Sequence, residues 1–144
     1  MIASVGADAM RAARNACLWI VALHALALVV HSQSHQAIPV PLSALQNAFA
    51  VVVIVVAPLL AAALIWRGGV RFGGTLLGAA MLGAFLFGYV NHYVLDSSDN
   101  VAQIPDTGWG LAFTWSAHAL ALLELGGVVA AFWLLRSSAR RASR

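Results

Sequence analysis

Long apolar stretches alternate with short polar ones along the chain, and four stand out at about 16–36, 43–66, 73–95 and 108–135. Each reaches or exceeds the roughly 20 residues a helix needs to cross the hydrocarbon core of a bilayer. The second, AFAVVVIVVAPLLAAALIW, carries no charge at all. No polar face recurs along any of them, so the pattern predicts four membrane-spanning helices, not the half-buried helices of a soluble domain. Pro58 removes one backbone donor from the second helix and crowds the preceding turn, so a kink is expected there.

The connections are short, so consecutive helices should run antiparallel in a single up-down-up-down bundle spanning residues 1–144. Small residues at spacing four, Gly74 with Gly78 and Ala84 with Gly88, let the third helix approach its partners closely. Gly88 lies one turn before His92 and leaves space beside that ring. Asp8 reads as the cap of a short helical lead-in, and residues 137–144 read as a disordered basic tail. Arginines followed by ACLWIVALHALALVV have the look of a secretion signal. The leader is long, however, and no small-x-small site follows in HSQSHQAIPVP, so this segment is expected to stay as the first helix.

Composition agrees with a lipid environment. Of 144 residues 62% are apolar and 9% charged, an excess that one small soluble domain cannot bury. The net charge of +3 comes with eight arginines that sit only in short flanks. Arg11 and Arg14 precede the first helix, Arg67 and Arg71 join the second to the third, and Arg136, Arg140, Arg141 and Arg144 follow the fourth. That placement reads as topology, with the lipid bilayer as partner and no nucleic acid. By the positive-inside rule both termini are cytoplasmic, and Trp19, Trp66 and Trp133 fall at the arginine-flanked ends as interfacial anchors would.

The polar residues inside these helices carry the candidate chemistry. His24, His31 and His35 are spaced by seven and four residues, or about −20° and +40° around a helix, and form one stripe with Cys17. Such a stripe should face the bundle interior. Counting about 1.5 Å per residue from the nearest arginine places His24 near Glu124, His31 near His118, and His35 near His92. Counting from the opposite loops puts His118 deeper, nearer His24.

His31, His35, His92 and His118 therefore converge from three helices as candidate metal ligands. No thiolate or thioether is level with them, so Cu(II), Zn(II) or Fe is expected before Cu(I), and a b-type haem with two axial histidines is an alternative. Asn91, Asp96 and Asp99 could support the ligands, although the aspartate loop also reads as simply solvated. His24 and Glu124 are expected to share a proton as a buried pair, because a lone carboxylate at membrane depth is costly. The single cysteine rules out an internal disulfide, and no phosphate-cradling loop or nucleophile elbow is present.

Three function classes fit this pattern. The first is a small membrane protein holding a metal or haem in the outer half of the bundle. The second is an accessory subunit, of a larger membrane complex or a homo-oligomer, whose polar residues fix helix packing. The third is a small transporter or proton pathway. No feature of the sequence selects a reaction or a substrate.

Overall fold

Each apolar stretch forms one long helix in the computed structural model, which describes residues 2–38 and 40–142. The fold is all-helical, with 87% helix and no strand among the described residues. The helices are α1 (Ile2–Ala37), α2 (Ala44–Trp66), α3 (Val70–Val94) and α4 (Gly108–Ala142). All four are long and apolar enough to cross a membrane, as a multi-pass membrane protein requires. Large apolar side chains such as Leu122, Val129 and Phe132 remain exposed on the outside of the bundle.

Two helices run further than their apolar stretches. Asp8 lies inside α1 and does not cap it, and residues 137–142, expected as tail, continue α4. Alanine and arginine, both strong helix formers, dominate these extensions, and neither proline nor glycine interrupts the end of α4. Residues 143 and 144 of the expected tail lie outside the described residues.

Pro58 acts through a widened turn. Residues Ala50–Val56 of α2 form a π-helical segment, and Ala57 donates its amide to Val52, five residues back. Proline cannot donate to the carbonyl four residues earlier, and the wider turn relieves the crowding its ring creates. A second π-helical segment, Val90–Val94, ends α3, with the Leu95 amide bonded to Val90 O at 2.9 Å. Within it the Asn91 side chain donates to Phe87 O at 2.8 Å, a local bond that competes with the regular helical ladder.

The helix ends are held by side chains and by glycine. Ser43 and Gln46 form a capping box at the start of α2. At its other end Gly68, at φ +90°, supplies the left-handed residue of a Schellman turn. There Gly69 and Gly68 donate to Leu64 O and Ile65 O at 2.8 and 3.2 Å. Arg14 of α1 donates to Trp66 O at 3.2 Å, satisfying another terminal carbonyl and tying α1 to α2.

In the packed bundle α4 lies along both α1 and α3, and α3 lies along α2. The arginine-flanked end has a dry core that includes Ala13, Cys17, Ile65, Leu77, Met81 and Leu134. Close helix approach depends on glycine there. A Cβ on Gly73 would lie 2.9 Å from Ala61 O, and one on Gly127 would lie 2.7 Å from Met81 Cγ. Toward the opposite end the apolar core gives way to histidine, serine and carboxylate.

Candidate metal centre

Two helices and one loop bring the polar groups together. His31 and His35 are one turn apart on α1, and His92 comes from the π-helical end of α3. His31 is 7% and His92 8% exposed, and His35 is half-buried. Each can offer one ring nitrogen such that the three lie within 4.8 Å of one another. The rings of His31 and His35 meet edge to face with centroids 4.8 Å apart, and those of His31 and His92 at 5.0 Å.

Hydrogen bonds decide where the protons sit. Ser116 donates its hydroxyl to Phe113 O at 2.9 Å, so toward His31 Nδ1, also at 2.9 Å, it must accept. His31 Nδ1 therefore carries the proton and Nε2 keeps its lone pair. His92 Nδ1 faces the backbone carbonyl of Asp99 at 3.0 Å, which can only accept, so Nε2 of His92 is likewise left with a lone pair. The Asp99 carboxylate lies 3.5 Å from His35 Nε2 and favours the proton there. His35 Nδ1 is buried with no hydrogen-bond partner. Three imidazoles thus each have one nitrogen free to coordinate, a pattern in which outer partners orient metal ligands.

Asp99 reaches the cluster because its loop folds back. Asn100 donates its side chain to Leu95 O at 2.8 Å and accepts from the Ala102 amide at 3.0 Å. Asp99 donates its own amide to Ser97 Oγ at 3.3 Å. The turn leaves Asp99 6% exposed, with Oδ1 3.2 Å from His92 Nδ1. Asp96 and Asp106 stay on the surface, and Asp96 accepts from Gln103. Asn91 is buried, but it accepts from Gln46 at 3.0 Å and joins α3 to the α2 cap, not to a histidine.

His118 does not join the cluster. Its ring is exposed, accepts or donates with Tyr93 Oη at 3.1 Å, and packs near Trp115. The expected level on α4 is occupied by Ser116, bonded to His31. Two residues around a helix turn a side chain by about 200°, so His118 points away from the face that Ser116 presents. Phe113, fully buried on that face, packs against all three imidazoles at centroid distances of 4.7, 4.9 and 5.3 Å. Sequence reasoning missed both Phe113 and Ser116. The signal was the buried stripe Phe113, Ser116, Ala117, Leu120 and Glu124, spaced by three and four, from which His118 is absent.

Deeper in the bundle His24 Nε2 and Glu124 Oε1 lie 3.4 Å apart, both buried. A cavity of about 330 Å³ connects the histidine cluster with Glu124. Gly88 lies between them: a Cβ there would sit 3.8 Å from His92 Cδ2 and 4.0 Å from Glu124 Oε2. No family model matches this chain, and neither curated proteins nor solved structures show a significant similarity to it.

Proposed function

We propose that this chain is a small multi-pass membrane protein in which His31, His35 and His92 hold one transition-metal ion. The observation that carries the reading is the set of three buried or half-buried ring nitrogens within 4.8 Å of one another. Ser116 and Asp99 each engage one nitrogen of the rings they contact, and the second nitrogen of each ring is left as a potential ligand. A tetrahedral ion with bonds of about 2.0–2.1 Å needs nitrogens roughly 3.3 Å apart, so binding draws the rings inward. The half-buried His35, with Nδ1 unbonded, has the freedom to make that movement.

Three imidazoles and a nearby carboxylate suit Zn(II), Cu(II) or Fe(II), and Asp99 offsets part of the ion's charge. Three protein ligands leave a coordination position open for water or a ligand, the arrangement of catalytic sites. A porphyrin is less well accommodated, since its plane would have to break the edge-to-face packing of His31 on both partners. A through-membrane polar path gains no support, because below His24 the core is apolar toward the arginine-flanked end.

In the membrane the helices run up-down-up-down with both termini cytoplasmic, and the metal centre lies in the outer half. The arginine distribution supports this orientation. Metal analysis and a visible spectrum of the detergent-purified protein test the proposal. One equivalent of Zn, Cu or Fe without a Soret band is the expected result. A Soret band would replace the ion with haem, and metal-free protein that binds none of the three on titration would reject the centre.

A further inference from the structure

Helices α1 and α2 close at one end and part at the other. At the closed end Arg14 bonds Trp66 O, and segment Ala57–Trp66 packs on α1. Beyond Pro58 the π-helical segment Ala50–Val56 packs on α3 instead. The seam so opened holds the 330 Å³ cavity of the histidine cluster and, beside His24, a second hollow of about 320 Å³. Leu28, Ser32, Ile54 and Val55 line both, so the two share a wall.

The rim of the opening is mixed: Ser32, Gln36 and Asn47 are exposed and polar, and an apolar side lies beside them. Val29, Val51 and Val55 on its rim are exposed and apolar, and they lie within the membrane-crossing lengths of α1 and α2. The interior has a different character. Phe87, Tyr89 and Tyr93 of α3 and Glu124 of α4 are among the residues that line it. Glu124 is 4% exposed, and its Oε1 faces His24. Its Oε2 has no protein hydrogen-bond partner among the described residues and stands across Gly88 from His92.

We infer that the cavity binds a hydroxylated lipophile of single-ring size, a phenol or quinol with an alkyl tail, which enters sideways from the bilayer. The hydroxyl donates to Glu124 Oε2, so this carboxylate oxygen gains a partner. The ring lies beside Tyr93 and the proposed metal centre, and the tail leaves between α1 and α2 along Leu28 and Val55. A plain acyl chain would leave the Oε2 oxygen without the partner that a hydroxyl supplies. This inference deepens the metal-centre reading by naming what the open coordination position faces.

The test uses the full chain in nanodiscs with an alkylphenol that carries a diazirine on its tail. Photolabelling and peptide mapping should place the label on Leu28, Ile54 or Val55. Excess 4-nonylphenol should displace it, and nonylbenzene should compete about tenfold more weakly, the value of one hydrogen bond. Glu124→Gln should narrow that difference. Ile54→Trp, which fills the wall shared by the two hollows and removes no candidate ligand, should abolish labelling while metal content stays unchanged. Label spread over outward positions such as Leu122 and Val129, or equal competition by the two compounds, overturns the inference. Metal analysis of the same preparation keeps the two readings apart. Specific labelling of a metal-free protein supports the cavity and sinks only the ion, and unspecific labelling beside one equivalent of metal sinks only the cavity.

Discussion

His92 Nδ1 meets Asp99 at two atoms: it is hydrogen-bonded to the backbone carbonyl at 3.0 Å and lies 3.2 Å from the carboxylate Oδ1, which makes no hydrogen bond of its own. The contact anchors the α3–α4 loop on the histidine cluster. It also sets the tautomer that leaves His92 Nε2 free. Loop conformation and ligand readiness are therefore one structural feature, and their disruption should be read in metal affinity before stability.

Asp99→Asn keeps the shape and the backbone carbonyl but removes the negative charge. Loss of a supporting partner of this kind typically lowers metal affinity about 10–100-fold. Competition titration against a chelator should show that loss, whereas Asp96→Asn, on the surface, should leave affinity unchanged. Equal effects of the two variants would mean that only the net charge of the loop matters.

Among the histidines, His31→Ala and His92→Ala should each cut stoichiometric binding sharply, and the double variant should abolish it. His118→Ala should bind as the parent does, because its ring is exposed and bonded to Tyr93. Metal content after gel filtration checks all four proteins. Loss of metal in His118→Ala alone would require a different arrangement of α4.

The buried His24 and Glu124 pair should show coupling in a double-mutant cycle of His24→Gln and Glu124→Gln. Interhelical polar contacts in bilayers average about 0.6 kcal/mol and reach roughly 1.7, so a coupling in that range is expected. Unfolding in bicelles measures it. Strict additivity would indicate that the 3.4 Å approach carries no energy.

Pro58→Ala restores an amide donor to α2 and removes the reason for the wide turn. The Ala50–Val56 segment should then tighten toward a regular helix and shift relative to α1. Electron–electron distance measurement between spin labels at Val29 and Val51 should show a changed and narrower distribution. An unchanged distribution would mean that packing on α3, and not proline, opens the seam.

Orientation can be tested independently with cysteines at Ser98 and Ala139, since native Cys17 is fully buried. An impermeant thiol reagent applied to intact cells should modify Ser98→Cys and spare Ala139→Cys. The reverse pattern would invert the topology.

How much of this was legible beforehand differs between the ends of the bundle. Four long apolar stretches and the clustering of arginine follow from composition and spacing alone, because a bilayer imposes length and charge placement on any chain that crosses it. The α1 stripe of His24, His31 and His35 was equally visible, since a regular helix converts spacing directly into direction. His118 was assigned by level, and level along a helix says nothing about face. Its true neighbours follow from the stripe that α4 buries between α1 and α3, and that depends on which helices meet.

Asp99 and the π-helical segments depended on the fold in a stricter sense. The LDSSDN loop is polar enough to be solvated, and only the turn around Asn100, together with the His92 contact, draws one of its carboxylates inward. Widened turns at Ala50–Val56 and Val90–Val94 change the angle per residue, so counting at a fixed 100° misplaces whatever follows them. The sequence alone determined that this chain is built for a membrane and where its histidines lie along the helices. Which three of them share a space was decided by packing, because a site made from separate helices exists only once their faces have met.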